Sequence, residues 1–366
     1  MVQFLLAGAR TRTNFLSHVA CAVLLLLTPV GASKPKEKPV APTPPDMLLE
    51  GGRKLSYERS FNSQREVKPK RGFWTRVVDF VAGEPDFRSL VRPYSVAVDS
   101  RGRIIVTDPG AFGVHIFDFQ QQKYKFLSRV DKGKDPMLTP QCVAVDAQDN
   151  IYVTDSESGK VFVFNSDGKF QRAIGSLKGG EGFFKRPTGI AVDSAAQRIY
   201  VTDTLRNQIF VTDMQGNVVQ TIGSNGEAAG QFNFPTELRL DGQNMAVVDA
   251  MNFRVQVLDT SGQLLYTVGK LGDESGTMFR PKGIAFDSEG DLYVVDGLWG
   301  VVQAFNRQGQ LLYTFGNRGT ALGEFQLPTG LFIDHSDRIY VVDSFNRRVQ
   351  IFHFYGLGKQ AKGGVQ

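Results

Sequence analysis

Two kinds of residue in this chain could do chemistry by their type and spacing. Twelve aspartates recur at regular intervals, and Glu237 and Arg239 break a pattern of small and apolar residues. Converging carboxylates could hold a metal ion or share acid–base work. These do not converge. Asp99, Asp146, Asp193, Asp241, Asp287 and Asp334 each close one apolar run, and Asp108, Asp155, Asp203, Asp249, Asp296 and Asp343 close the next. An aspartate ending a strand accepts hydrogen bonds from nearby backbone amides, and that structural role is expected for all twelve. His115, His335 and His353 have no ligand spacing, so no metal site is assigned. No nucleophile-elbow motif occurs, and no catalytic residue is assigned. Cys142 stands in Gln141-Cys142-Val143-Ala144-Val145, where a thiol reads as a small buried hydrophobe.

The elements that must position these residues repeat. A proline leading an apolar run that ends in aspartate occurs six times, from Pro93, Pro140, Pro187, Pro235, Pro281 and Pro328. The spacings are 47, 47, 48, 46 and 47 residues. Each unit then continues with three more short apolar runs, separated by turns rich in Gly, Asp and Asn. Four such runs per unit read as four strands. A lone four-stranded sheet with two apolar faces is unstable in water, and radial stacking covers both. The expectation is an all-β, six-bladed β-propeller of four-stranded blades. The sixth unit ends near Tyr355 after three strands. Residues 74–81, from Trp74, have the pattern of a fourth strand without its first three. They are expected to complete the last blade, so that an N-terminal strand closes the ring and leaves no open edge. Residues 53–62 offer a further edge strand.

The repeat resembles the NHL family. The resemblance rests on Pro187-Thr-Gly-Ile-Ala-Val-Asp193, the second strand Ile-Tyr-Val-Thr-Asp, the Asn/Arg loop after it, the Val-x-Val-Phe third strand and the closing Gly. It covers about residues 73–355. Repeats three and six match best, with Asp203-Thr-Leu-Arg-Asn207 and Asp343-Ser-Phe-Asn-Arg-Arg348, whereas repeats one, two and five depart in that loop. By the family's geometry the loops after the second strand and those before each proline share one face. That face would carry Phe112, Arg206, Asn207, Asn252, Arg254, Trp299, Asn346 and Arg347. Exposed aromatics and arginines on a rigid platform suit partner binding. Trp299 has a second reading, as filler of the gap beside Gly297 and Gly300. Glu237 and Arg239, two and four residues after Pro235, would line the axis. They read as an ion pair bridging neighbouring blades or as a polar contact at the channel mouth.

The resemblance implies a non-catalytic module that recognises a protein or small ligand, with no cofactor. The alternative is a metal-dependent propeller enzyme, similar to gluconolactonases or the amidating lyase, with a divalent metal in the central channel. Glu237 is the obvious axial carboxylate for it. RNA binding, known for some NHL domains, is disfavoured by charge. Residues 33–92 carry 13 Lys and Arg against 8 Asp and Glu, and residues 1–32 add +2, so residues 93–366 hold −2 of the chain's +5. A body without a basic excess is not expected to bind nucleic acid.

Residues 1–32 read as a secretory signal: Arg10 and Arg12, an apolar run, then Val30-Gly31-Ala32. An uncleaved anchor, or lipidation at Cys21, is the alternative. Residues 33–52 read as a Pro/Lys-rich tether and 53–72 as a basic lead-in, and 356–366 as a flexible tail. The location expected is extracytoplasmic, periplasmic or secreted. The basic segment would serve as a solvated spacer or as a contact with anionic lipid.

Overall fold

Runs such as Ile151–Asp155 and Arg198–Asp203 have almost no polar face because both sides of the sheet are covered. Outer runs such as Val218–Ile222 are mostly exposed and bury one end. That gradient, from a buried second strand to a wet fourth, is what radial stacking demands. The computed structural model of the chain describes residues 42–67, 87–130 and 135–356. The chain divides into two units, residues 1–41 and 42–366. Residues 1–32, read as a secretory signal, lie outside the described residues, Cys21 among them. Among the described residues no helix is long and apolar enough to cross a membrane.

Six antiparallel sheets form the blades. The first strands are Ser95–Val98, Pro140–Val145, Pro187–Asp193, Pro235–Asp241, Pro281–Phe286 and Leu331–Ile333. In the first five blades each is followed outward by three strands, in blade four by Asn244–Asp249, Arg254–Asp259 and Leu264–Val268. Every first strand touches the first strands on both sides, and that of blade six touches that of blade one, so the ring is closed. The core is six separate clusters, one at each junction between blades. Val143, Ile151 and Phe162 of blade two pack on Ile105, Ile116 and Leu127 of blade one, for example. Blade four meets blade five through Val248, Val255, Ile284 and Phe305.

Ring closure differs from the sequence expectation in which segment provides it. Lys54–Phe61 pairs antiparallel with Arg348–Tyr355, from Lys54 opposite Tyr355 to Phe61 opposite Val349. Leu55 and Phe61 are buried there. Met47–Leu48 adds a fifth strand outside it, so this blade has five. The position expected for residues 74–81 is thus taken by the segment read as a further edge strand, and the propeller includes residues upstream of 73. Residues 74–81 themselves lie outside the described residues. Lys54–Phe61 supplies Leu55 toward blade five and Phe61 toward blade one, filling two different junctions.

Candidate functional site

The loops before the first strands and after the second strands lie on one face, because each proline sits beside the aspartate that ends its neighbour. Pro187 pairs with Asp203, Pro235 with Asp249 and Pro281 with Asp296. Those aspartates are fully buried and tie the two loops together. Asp203 accepts hydrogen bonds from the Lys185 and Arg186 amides at 2.8 and 3.0 Å. Asp108 does so from Val91 and Arg92 at 2.6 and 2.9 Å. Asp296 receives Phe279 and Arg280 at 2.7 and 3.2 Å, and its other oxygen receives Leu298 and Trp299. Burial alone would raise Asp108, but its hydrogen bonds from His115, Val91 and Arg92 hold its carboxyl below the usual range. On the opposite face Asp146, Asp287 and Asp334 accept two turn amides each and a tyrosine hydroxyl, from Tyr152, Tyr293 and Tyr340. These carboxylates build loops.

The residues expected on this face divide into two groups. Five fix loops. Asn252 donates to Gly226 O and Asp249, each at 2.9 Å. Arg254 donates to Asp249 at 2.8 Å and to two carbonyls. Asn346 repeats the role of Asn252 on Gly319 and Asp343. Arg206 lies 3.5 Å from Asp203 and over the Phe183 ring. Asn207 accepts from the Phe234 amide at 2.8 Å and holds a φ of 55°. Phe112, Trp299 and Arg347 remain exposed. Phe112 is 59% and Trp299 43% accessible, so Trp299 does not simply fill the space beside Gly297 and Gly300.

The sequence reading missed how much apolar surface joins them. Leu205, Met251 and Phe345 occupy the same loop in blades three, four and six, and Val91, Leu138, Phe234 and Phe279 stand just before the first strands. With Phe112 and Trp299 they make nine of the sixteen large hydrophobic residues exposed among the described residues. The available signal was an apolar residue at the loop tip in five of six repeats.

The axis is plugged rather than open. Glu237 is 4% accessible. Its Oε1 lies 2.5 Å from Arg239 Nη1, and its Oε2 accepts from the Cys142 thiol at 2.9 Å. Arg239 Nη2 donates to Leu331 O at 3.4 Å. The ion pair therefore lies within blade four, and its two ends reach across the axis to blades two and six. The ion pair is thus formed within one strand, not as a bridge between neighbouring blades. Burial pushes the Glu237 carboxyl up, with Arg239 opposing. Burial, then the Glu237 charge, pushes the Cys142 thiol well up, which disfavours a nucleophilic thiolate. Gly189 permits the arrangement, since a Cβ there would stand 2.9 Å from Glu237 Cα. Among the described residues no three of His, Cys, Asp or Glu are grouped to hold a metal. His115 is buried, with Nδ1 2.8 Å from the Tyr124 hydroxyl and Nε2 3.4 Å from Asp108. It borders a cavity of about 400 Å³ with Phe87, Arg88, Ser89, Val91 and Ala111.

Above the plug the mouth is cationic. Arg186 and Arg280 stand immediately before Pro187 and Pro281, and Lys282 immediately after Pro281. Burial first, then the Arg280 and Arg186 charges, lower Lys282 to about 8, with Cys142 and Glu237 opposing. Tyr94, at the same place in blade one, feels Cys142, Glu237, Arg186 and Arg280.

Comparison with known proteins agrees on architecture. A family model described as a 6-bladed beta-propeller matches residues 134–197 and 191–270. No curated protein sequence matches. Among solved structures, a protein of unknown function from Bacteroides thetaiotaomicron is 14% identical and aligns over 85% of this chain and 84% of its own, with a TM-score of 0.57. An auxiliary nutrient binding protein from the same organism is 13% identical over 73% of this chain and 70% of its own, at a TM-score of 0.55. Virginiamycin B lyase from Staphylococcus aureus is 13% identical over 82% and 99%, at 0.53. At such identities the likeness shows the fold alone.

Proposed function

We propose that this chain is a non-catalytic, extracytoplasmic binding protein, built of NHL-type repeats, that recognises a protein or small ligand on the face carrying Phe112 and Trp299. The observation that carries this reading is the concentration of nine exposed large hydrophobic residues on one face of a rigid ring. Exposed apolar surface held on loops pinned by buried aspartates is costly to keep unless something covers it. The solved neighbours include both a binding protein and a lyase, so the fold does not choose between those roles. The axis disfavours the metal-dependent enzyme, because its axial carboxylate, Glu237, already answers Arg239 and Cys142.

The test is crosslinking capture from the cell envelope with the full chain. Phe112→Ser and Trp299→Ser should abolish capture of a discrete partner. Val218→Ser and Leu265→Ser, exposed positions on outer strands, should leave it intact. Equal capture by all four variants would overturn the reading. Elemental analysis addresses the enzyme: a stoichiometric divalent metal lost in Glu237→Ala would replace the binding module with a metal-dependent hydrolase or lyase.

A further inference from the structure

Blades four and six clamp the loop before their first strand with three side chains. In blade four Asn252 donates to Gly226 O at 2.9 Å, Arg254 to Ala228 O and Gln231 O at 3.1 and 3.2 Å, and Gln256 to Gln231 O at 2.6 Å. In blade six Asn346, Arg348 and Gln350 do the same to Gly319, Ala321 and Glu324. Each clamp also reaches the buried aspartate beneath it, Asp249 or Asp343. Counted from Asp108, the same three positions of blade one hold Ala111, Gly113 and His115. Alanine and glycine have no side-chain donor. His115 turns Nδ1 to the Tyr124 hydroxyl at 2.8 Å and Nε2 to Asp108 at 3.4 Å, so it clamps no loop carbonyl.

Where the clamp is missing there is a cavity of about 400 Å³. Two of the clamp positions, Ala111 and His115, line it together with Phe87, Arg88, Ser89 and Val91 of the loop that a clamp would hold. That loop is fixed from outside instead. Gln64 N donates to Arg88 O at 2.9 Å and Leu90 N to Asn62 O at 2.8 Å, so the chain that follows the closing strand holds it without filling the space. Arg88, Ser89 and Val91 are exposed at the rim, Phe87 and Ala111 are half-buried, and His115 is buried at the floor. With both ring nitrogens turned to protein groups, His115 presents ring carbon to the cavity. Phe126 and Phe117 back that ring, with centres 4.7 and 5.8 Å away. The polar groups, the Arg88 guanidinium and the Ser89 hydroxyl, stand at the rim. Arg88 lies 4.4 Å from the Phe126 ring centre, which steadies it there.

The volume falls in the range of small-molecule sites, about 300–1,000 Å³. Filled with water alone it would hold about a dozen molecules against walls that offer them few hydrogen bonds. An apolar, ring-walled interior with one cation and one hydroxyl at its rim suits a flat ring that carries a single anionic oxygen group. We propose that this cavity of blade one is a site for a small organic acid, its ring against His115 and its carboxylate at Arg88 and Ser89. Val91 at the rim and Phe112, next to Ala111, belong to the apolar face. The site therefore names the small ligand of that face and rests on reading it as the binding face.

Isothermal titration of the full chain with naphthalene carboxylate tests it, with naphthalene carboxamide as the uncharged counterpart. Saturable binding of the carboxylate is expected, about tenfold tighter than that of the carboxamide. Arg88→Gln should bring the carboxylate down to the affinity of the carboxamide and leave the carboxamide unchanged. Ala111→Trp, the residue type that blade five has at this position, should weaken both by about tenfold or more. Trp299→Ser, two blades away, should change neither. Arg88 is exposed and Ala111 half-buried, so both variants should keep the unfolding curve of the parent. A benzophenone carboxylate, photoactivated on the unaltered chain, should crosslink within residues 87–91 or 109–115 by peptide mass spectrometry, which locates the ligand whether or not a variant folds. No saturable binding up to about 10 mM carboxylate would overturn the site, as would undiminished binding in Arg88→Gln or crosslinks confined to other segments. Partner capture that still depends on Phe112 and Trp299 in those cases would leave the apolar face standing and remove only the cavity.

Discussion

Glu237 keeps a carboxylate at the axis because Arg239 and Cys142 both answer it, and removing one partner should expose the cost. Arg239→Ala leaves the buried carboxylate with only a thiol donor, and a loss of about 3–5 kcal/mol in urea unfolding is expected. Glu237→Gln combined with Arg239→Met should recover most of it. A loss below about 1 kcal/mol in the single variant would show that the pair contributes little. Lys282 works in the other direction. Its ammonium is disfavoured in the fold, with a value near 8 against 10.5 when unperturbed. The unfolded chain therefore binds the extra proton between those values, and this residue makes stability rise with pH across that window. Lys282→Met should stabilise the protein by up to about 3 kcal/mol below pH 8, with the advantage gone above pH 10.5. Unfolding midpoints at pH 7 and pH 10.5 would check it, and an unchanged difference would show that burial does not perturb this lysine. The sequence marked Glu237 and Arg239 as exceptional but not their partners. Cys142 and Leu331 lie in other repeats, and only the closed ring brings them to the pair.

At the scale of the strand, the second strands use two chemistries around the ring. In blade two Thr154 accepts from Cys142 N at 2.9 Å and donates to Thr188 O of the next blade at 2.6 Å. Thr107 joins blades one and two in the same way, through Ser95 N and Gln141 O. Blades four, five and six have Val248, Val295 and Val342 at this position. Thr154→Val is therefore a change the fold makes elsewhere, yet it should cost about 1–3 kcal/mol where the strands are set for a hydroxyl. Thermal unfolding reads this, and a neutral result would mean the blades adapt. Asp203→Ala removes the acceptor for the Lys185 and Arg186 amides and should destabilise by about 2–4 kcal/mol. The repeats made this aspartate visible. Its partners were less so, because they precede the proline of the same repeat, Pro187, by two and one residues in a loop with no fixed composition.

For the whole molecule, stability depends on closing the ring. Deleting residues 42–62 would leave Arg348–Tyr355 as an eight-residue open edge and uncover two junctions. The truncated chain should elute as higher-order species in size-exclusion chromatography. Leu55→Ala should cost about 2–5 and Phe61→Ala about 3–5 kcal/mol, and a monomeric, fully stable truncation would show that another segment takes the edge.

Six repeats of nearly constant spacing, with covered second strands and punctuating glycines, determine a six-bladed propeller without any structure, because only radial stacking satisfies that pattern. The same periodicity places the aspartates on turns. Which N-terminal segment closes the last blade is decided by tertiary packing. Residues 53–62 and 74–81 both alternate, and register against Arg348–Tyr355 selects Lys54–Phe61. The axial plug is likewise tertiary. It joins residues from alternate blades, separated by 92 or 95 positions in the contacts of Arg239 and Glu237, and no local pattern encodes which side chains meet on an axis.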